Sequence, residues 1–486
     1  MTITELKPAL IWSIFDKITK VPRPSKKEEK IRKFLLDFAA EHNIAVKTDA
    51  VGNVVMSKPA TPGKENAPGV ILQGHMDMVC ESNIPGFDFE NNPITTIVDG
   101  EWVHADGTTL GADNAIGMAA SLAVLVDDSL VHGPIEALFT VDEETGMTGA
   151  DNLGEGMMTG SMLINLDSED DGLIFVGCAG GIDSTITFSY EAEAAPAGYQ
   201  FFRFDLTNGR GGHSGGDIHL GRANANKLLA RYLFALGAVT DLRLAQISGG
   251  NLRNAIPRDA HAFFGVPAAD KEKVRIELNK FIAEVQNEYK VEDPDIKFDL
   301  CSEEAPANVI DAKTSDNLIK ALYSSPHGVV AMSKDIEGLV ETSTNLASVK
   351  MLPDNQILVV TSQRSSVESS KLDIAHQVEA HFKLAGAEVS HGDGYPGWEP
   401  NMESPIMHIV RDAYKELFKV DPVITAIHAG LECGLLVSKY PHLDMVSIGP
   451  TLRNVHSPSE MMHIPAVERF WKHLALVLEK VADLKK

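Results

Sequence analysis

The sequence is poor in cysteine and in long apolar runs. Its four cysteines, Cys80, Cys178, Cys301 and Cys433, are far apart and form no CxxC pair, which argues against a disulfide framework, a zinc knuckle and a dithiol redox site. No run approaches the roughly 18 apolar residues of a membrane span, and no basic patch followed by an apolar block opens the chain. We therefore expect a cytoplasmic protein that does not contact a membrane.

Basic residues are also in short supply. The chain has 43 lysines and arginines against 68 acidic residues, so its formal net charge is −25. Such a surface repels nucleic acid and anionic membranes, and neither is an expected partner. An acidic balance is common on soluble proteins, so the charge alone does not indicate a metal site.

What is present is the composition of an ordinary globular protein, with 44% hydrophobic and 23% charged residues. At 486 residues the chain exceeds the length at which one hydrophobic core usually stops growing, so we expect two or three domains. Apolar residues at helical spacing between Leu6 and Ile18 predict a first helix. Ser25 with Glu28 predicts a capping box that begins a second helix.

Short apolar runs at 70–72, 135–141 and 162–166 alternate with helical stretches such as 115–126. Runs of this length that are apolar throughout predict strands buried on both faces of a mostly parallel sheet. The predicted fold class is α/β, with a central sheet flanked by helices. Because ligands of such sheets bind beyond the carboxyl ends of the strands, functional residues are expected at that edge.

Two segments mark domain boundaries. An acidic linker with alanine and proline lies at 189–198, and a Gly/Pro/Trp-rich segment lies at 392–400. Between them, strand-like runs and helical stretches predict an inserted α+β domain at 189–396. The first domain is then discontinuous and comprises 1–188 and 397–486.

A histidine and an aspartate, His75 and Asp77, stand two residues apart at the end of a predicted strand. If the chain stays extended, both side chains share one face, so one can bind a metal while the other orients it. An ordinary surface contact between them is the alternative.

Asp113 lies in a Gly-rich turn directly before an apolar helix, where it could simply be the N-cap. The alternative is that its two oxygens bridge two cations about 3.5 to 4 Å apart.

Three acidic residues, Asp142, Glu143 and Glu144, follow a buried strand, where charges are costly unless they face water or a cation. Neighbouring residues at a strand end point apart, so one glutamate can ligate a metal while the other acts as a general base. A solvated acidic loop remains the alternative.

Asp167 follows another strand-like run, and His456 lies in a late turn. Each is weak evidence alone. Together, two histidines and three carboxylates at five junctions between strands and loops suit Zn²⁺ or Mn²⁺.

The inserted domain contributes His213 between glycine pairs, where a ligand could approach the backbone closely. A glycine-rich turn with an incidental histidine explains it equally well. Asn254 and Arg364 add amide and guanidinium donors after strand-like runs, able to hold a carbonyl and a carboxylate, although surface arginines are usually just solvated.

Taken in order along nearly the whole chain, these motifs resemble those of M20-type metallopeptidases. The motifs that carry the resemblance are His75-x-Asp77, Gly111-Ala-Asp113-Asn114, Glu143-Glu144, Asp167 and His456. Further motifs look like the branch of the family that cleaves aminoacyl-histidine dipeptides. These are Gly-Gly-His213-Ser-Gly-Gly, Asn254-Ala-Ile-Pro, His428-Ala-Gly-Leu-Glu-Cys-Gly434 and Ser447-Ile-Gly-Pro450.

The resemblance implies a site with two Zn²⁺ ions per chain, for which Mn²⁺ or Co²⁺ are expected substitutes. His75 and Asp167 would bind one ion, Glu144 and His456 the other, and Asp113 would bridge them.

The resemblance also assigns the catalytic groups. Asp77 would orient His75, Glu143 would be the general base that activates a water between the metal ions and then shuttles its proton, and His213 would stabilise the oxyanion.

Substrate binding is assigned to His213, Asn254, Arg364 and Gly430, with the inserted domain as lid and homodimer surface. The implied activity is hydrolysis of dipeptides, preferentially Xaa-His and including β-alanyl-histidine.

Three alternatives remain. The first is another hydrolase of the same family: an aminopeptidase, a carboxypeptidase or an N-acyl amino acid deacylase. The second is a catalytically silent metal- or peptide-binding protein, against which the intact ligands and Glu143 argue. The third is a purely structural acidic protein, which would bind less than one zinc ion per chain.

Overall fold

The computed structural model describes residues 2–484. Its α-helices are, in chain order, α1 (Ala9–Thr19), α2 (Glu29–Glu41), α3 (Ala112–Val126), α4 (Glu143–Gly146), α5 (Thr148–Asp151), α6 (Ala225–Gly237), α7 (Lys271–Glu288), α8 (Ala312–Ser324), α9 (Glu368–Leu384), α10 (Pro405–Phe418), α11 (Glu432–Lys439) and α12 (Ile464–Ala482). The strands are β1 (Ala45–Thr48), β2 (Val54–Lys58), β3 (Val70–His75), β4 (Thr96–Asp99), β5 (Trp102–Ala105), β6 (Ile135–Thr140), β7 (Met162–Asn165), β8 (Leu173–Cys178), β9 (Gly180–Ser189), β10 (Ala192–Ala194), β11 (Tyr199–Thr207), β12 (Gly212–His213), β13 (Arg243–Gly249), β14 (Ala255–Ile256), β15 (Ala260–Pro267), β16 (Lys297–Glu303), β17 (Asn308–Ile310), β18 (Gly328–Met332), β19 (Val340–Leu352), β20 (Gln356–Ser365), β21 (Glu388–His391), β22 (Val423–Ile427), β23 (Asp444–Ser447), β24 (Leu452–Arg453) and β25 (Met461–His463).

The chain divides into two compact units. The first comprises the described residues up to Cys178, Trp398–Ala426 and the described residues from Leu431 onward, and the second comprises Ala179–Gly397 and Ile427–Gly430. The predicted boundary after residue 188 falls at the end of β9. However, β9 pairs with β20 and β21, so the whole strand belongs to the sheet of the second unit. The roles assigned to the two domains stay predictions.

The first unit is built on an eight-stranded sheet with the order β1-β2-β6-β3-β7-β23-β8-β22. Its central strands β6, β3, β7 and β23 are parallel to one another. Helices α3 and α10 pack against these strands, and a smaller sheet has the order β24-β25-β5-β4. This architecture confirms the predicted α/β class.

The parallel strands are buried along their whole length. Every residue of β3, β6 and β7 is buried, which explains why their sequences are mostly apolar and show no polar-apolar alternation. Because parallel strands run the same way, β3, β6 and β7 end at one edge of the sheet, so the residues that follow them come together.

The predicted helix pair at the start of the chain is confirmed as α1 and α2, but the predicted capping box is wrong. Glu28 is itself the N-cap residue of α2, and no side chain caps that helix end. The Ser25 hydroxyl donates instead to Asp77, and the Glu28 carboxylate accepts from the backbone N–H of Asp142 at 3.1 Å. Ser25 and Glu28 therefore form hydrogen bonds with buried groups on distant segments and not with each other's backbone.

The second unit contains a nine-stranded sheet with the order β16-β11-β15-β13-β19-β20-β9-β21, in which β18 pairs with β19. Its paired strands are antiparallel, and helices α6 to α9 lie in the same unit. Aromatic rings fill the core of this unit, with Phe204 lying 4.8 Å from Tyr232 and 6.5 Å from Phe281 between ring centroids.

Across residues 2–484, no helix combines the length and the apolar character that crossing a bilayer requires.

Phe204 has no exposed surface, so Phe204→Ala is expected to lower the free energy of unfolding by about 3 to 5 kcal/mol through lost burial and a cavity. Urea denaturation followed by circular dichroism measures the loss. Leu384→Ala is the control, since that side chain is 90% exposed and its removal should change stability by less than about 0.5 kcal/mol. Equal effects of the two substitutions would contradict this account of the core.

Candidate functional site

Asp77, two residues beyond the end of β3, is fully buried and has four hydrogen-bonding partners. The backbone N–H groups of Glu143 and Glu144 donate to its two oxygens at 3.1 and 3.2 Å. The Ser25 hydroxyl donates at 2.8 Å, and His75 Nδ1 lies 3.2 Å from Asp77 Oδ1. Burial works against ionisation, yet these contacts hold the pKa of Asp77 at about 2. Asp77 therefore stays a carboxylate that orients His75 and the start of α4.

The two oxygens of Asp113 face two different histidines. His75 Nε2 lies 2.9 Å from Oδ1, and His456 Nε2 lies 3.1 Å from Oδ2. Each imidazole also faces a second carboxylate, since Asp167 Oδ1 is 3.4 Å from His75 Nε2 and Glu144 Oε2 is 3.0 Å from His456 Nε2. One ligand atom from each of His75, Asp113 and Glu144 lies within 4.8 Å of the others. The five predicted ligands therefore form one cluster.

The cluster holds more negative charge than its own side chains neutralise. Burial raises the pKa of Asp167 and of Glu143 well above the usual range. Hydrogen bonds to carboxylates raise the pKa of His456 to about 11, and the carboxylates around His75 raise its pKa although burial opposes this. Glu144 Oε1 and Asp167 Oδ1 are buried without a hydrogen-bond partner among the described residues. Imidazole and carboxylate ligands with unsatisfied buried oxygens fit divalent cations such as Zn²⁺.

A second group of buried acids lies beside this cluster but does not resemble a metal site. Ligand atoms of Glu28, Asp77 and Asp142 also lie within 4.8 Å of one another. Asp142 accepts hydrogen bonds from the hydroxyls of Thr145 and Thr148, and the other two carboxylates accept from backbone N–H groups. These acids are already satisfied, and they hold the loop after β6 in place.

Two buried residues that the sequence did not single out hold the segment before Asp113. The Arg23 guanidinium donates to the carbonyl oxygens of Asp77, at 2.6 Å, and of Gly111. The Glu460 carboxylate accepts hydrogen bonds from three successive backbone N–H groups, those of residues 110–112, at 2.7 to 2.8 Å. No local sequence pattern marks either residue.

In the second unit, β12 pairs with β14, which brings His213 beside the segment that begins with Asn254. The backbone N–H groups of Gly215 and Gly216 donate to His213 Nδ1 at 3.2 and 2.9 Å. Nδ1 is therefore an acceptor, and the proton of the neutral ring is on Nε2. Burial, followed by the charge of Arg364, lowers the pKa of His213 and favours this neutral form.

Arg364 and Gly430 belong to the same cluster of the second unit. Arg364 is only 7% exposed, and its guanidinium donates to the Tyr395 hydroxyl at 2.7 Å and to the Ser214 hydroxyl at 3.4 Å. A Cβ atom on Gly430 would lie 2.9 Å from the Tyr395 ring, so only glycine fits there without a shift. The second unit thus brings together the four residues predicted to bind substrate.

Comparison with known proteins gives consistent results. The model of peptidase family M20/M25/M40 matches residues 71–480. The cytosol non-specific dipeptidase of Escherichia coli is 44% identical over 480 residues, 99% of each chain. The crystal structure of the aminoacylhistidine dipeptidase from Vibrio alginolyticus superposes with a TM-score of 0.93 at 43% identity, covering 100% of this chain and 99% of that one. The aminopeptidase PepT of Bacillus cereus, at 16% identity, 98% and 100% coverage and a TM-score of 0.62, shares the fold.

Arg23 is charged and almost fully buried. Arg23→Met is therefore expected to lower the free energy of unfolding by about 3 to 5 kcal/mol, the cost of removing one member of a buried charged group and leaving the others without it. Arg275→Met is a matched control on the exposed face of α7, where a change below about 0.5 kcal/mol is expected. Chemical denaturation of both variants tests this. A stable Arg23→Met protein would show that the Asp113 segment does not need the guanidinium.

Proposed function

The chain belongs to peptidase family M20/M25/M40, and from that premise we propose that it is a dipeptidase that acts with two zinc ions. The observation that carries the proposal is the geometry around Asp113, whose two oxygens face His75 and His456 separately. This is the arrangement expected of a carboxylate shared by two cations.

In the proposed site, His75 and Asp167 would hold one zinc ion, Glu144 and His456 would hold the other, and Asp113 would be shared between them. Mn²⁺ or Co²⁺ would suit the same nitrogen and oxygen ligands. Bound there, two divalent cations would lower the pKa of water toward neutrality and polarise the peptide carbonyl.

Glu143 is proposed as the general base that takes a proton from the attacking water and returns it to the leaving amine. Its backbone N–H is held by Asp77, whose carboxylate also accepts from Glu144. Burial, followed by the charges of Asp167, Glu432 and Glu144, raises the pKa of Glu143 well above its usual value, although the charge of His75 opposes this. A carboxylate at this position, next to the proposed ligand Glu144, can accept a proton and return it.

The second unit is proposed to supply substrate contacts. His213, with its proton on Nε2, is suited to donate to the oxyanion that forms during hydrolysis. The Arg364 guanidinium is suited to a terminal carboxylate, with Asn254 and Gly430 beside the peptide backbone.

Preference for Xaa-His dipeptides, including β-alanyl-histidine, is the finer part of the proposal. The name of the Vibrio alginolyticus relative supports it, whereas the name of the Escherichia coli relative favours a broader range of dipeptides. That second name also supports a cytoplasmic location. A homodimer formed through the inserted domain stays a prediction.

Glu143→Gln is expected to retain both zinc ions and to lose about 10² to 10⁴ in kcat, because the substitution removes the base and leaves the proposed ligands intact. Metal analysis of the purified variant and steady-state kinetics measure the two effects. Glu155→Gln, at an exposed position, is the control and should behave as wild type. Normal turnover in zinc-loaded Glu143→Gln protein would rule out this role.

A panel of matched Xaa-His and Xaa-Ala dipeptides tests the substrate class. We expect hydrolysis that is abolished by chelation, restored by zinc or manganese, and faster for Xaa-His. Equal rates of hydrolysis of Xaa-Ala and Xaa-His dipeptides would contradict the histidine preference and indicate a dipeptidase with a broad substrate range. Faster cleavage of tripeptides or N-acyl amino acids would point to another activity of the family.

A further inference from the structure

A row of buried polar side chains crosses the parallel sheet just below the proposed ligands. Gln73 on β3, Asn165 on β7 and Ser447 on β23 are register partners, and each is at most 1% exposed. Because residues two apart on a strand share a face, Gln73 lies on the face of His75. Asn165 precedes Asp167 by two residues. The row therefore adjoins both proposed ligands of one zinc ion.

Each residue of the row donates a hydrogen bond to the next, in the direction from Ser447 to Glu432. The Ser447 hydroxyl donates to Asn165 Oδ1 at 2.5 Å, Asn165 Nδ2 donates to Gln73 Oε1 at 2.6 Å, and Gln73 Nε2 donates to Glu432 Oε2 at 2.6 Å. The Thr140 hydroxyl donates to the same Glu432 oxygen at 2.8 Å. Glu432 Oε2 accepts both hydrogen bonds, so it sets the direction in which the two amides are oriented.

Glu432 is an unusual residue at this depth. It is 2% exposed, and burial raises its pKa to about 7. Its Oε1 atom has no hydrogen-bond partner among residues 2–484. Although it stands in the first turn of α11, it does not cap that helix. Burying an acid is costly unless hydrogen bonds compensate for the lost water, and at Glu432 those hydrogen bonds come from Gln73 and Thr140.

We propose that Glu432 is a positioning residue of the metal centre, which fixes the hydrogen-bonded row of Gln73, Asn165 and Ser447 and thereby the placement of His75 and Asp167. The inference rests on the proposed function, since it requires that these two residues hold a metal ion.

The proposed role is selective for one of the two ions. The row contacts the strands that lead to His75 and Asp167, whereas His456 lies in the turn after β24 and Glu144 is held through its backbone by Asp77. Loss of Glu432 should therefore lower the affinity for one zinc ion much more than the affinity for the other.

The experiment measures zinc affinity by competition between metal-free protein and a chromophoric chelator, which reports each ion separately and does not depend on activity. Glu432→Met removes both acceptor oxygens with little change of shape, whereas Glu432→Gln keeps one acceptor but loses the charge. Gln73→Met breaks the row at its centre, and the double variant tests coupling.

Glu136→Met is the matched control. Glu136 is another buried carboxylate of the same sheet, 8% exposed, and it accepts from Thr159 and Gly160 near the opposite end of β6. Thermal unfolding of each metal-free variant, compared with this control, separates a general loss of stability from an effect on the centre.

Glu432→Met is expected to weaken the binding of one zinc ion about 10-fold, the lower end of the range for losing a group that supports the metal ligands, and to leave the binding of the other nearly unchanged. Gln73→Met should do the same, and the double variant should lose little more than either single one, because both substitutions break one network. Glu432→Gln should restore most of the affinity. The control should bind both ions as the wild type does.

Unchanged zinc affinity in Glu432→Met, or an equal loss of affinity for both ions, would overturn the inference. Additive losses of affinity in the double variant would also overturn it. So would equal losses of affinity in Glu432→Gln and Glu432→Met, which would indicate that the charge of Glu432 matters and not its position. If wild-type protein binds two ions and Glu432→Met binds them equally tightly, the inference alone fails. If wild-type protein binds no zinc, the proposed function fails and the inference with it.

Discussion

The carboxylate of Asp77 joins three separate segments at the carboxyl edge of the sheet, and the geometry of the centre depends on it. It faces His75 Nδ1, and it accepts hydrogen bonds from the Ser25 hydroxyl and from the backbone N–H groups of Glu143 and Glu144. With Nδ1 engaged, His75 presents Nε2 to Asp113 and Asp167. The same carboxylate thus orients an imidazole and places the two glutamates that follow β6.

A second constraint acts on the segment that leads into Asp113. Arg23 donates to the carbonyl oxygen of Gly111, and Glu460 accepts from the backbone N–H groups of residues 110–112, so a cationic and an acidic side chain hold this backbone together. Both side chains are almost fully buried, where an unpaired charge would be strongly destabilising. Leu110 and Glu460 are 350 residues apart in sequence, so two distant segments of the chain build one side of the centre together.

Electrostatics explains why this arrangement favours cations. Carboxylates from the ends of several strands converge on a buried region, and two histidines alone leave some of their oxygens unsatisfied. Burial raises the pKa of Asp167 and of Glu143, which is the response of acids that lack sufficient positive charge. A divalent cation would provide that charge.

Much of the fold and many residues of the centre were predictable from local sequence patterns. Buried strands have mostly apolar sequences, parallel strands end at one edge, and the polar residues that follow them must therefore meet, which is the reasoning that predicted His75, Glu144 and Asp167. The capping box was wrong because Ser25 and Glu28 found partners on distant segments. The linker composition indicated two domains, but it could not show that β9 pairs within the second sheet.

The sequence by itself determined the α/β class, the family and the residue types that gather at the edge of the sheet. It did so because strand periodicity and motif order are local properties of the chain. Only the tertiary structure decided which oxygen of Asp113 faces which imidazole, and that Arg23, Glu460 and Glu432 are buried around the centre. Those contacts join residues such as Gln73 and Glu432, 359 positions apart, and a pairing at that distance depends on how the strands and helices pack and leaves no pattern in either neighbourhood.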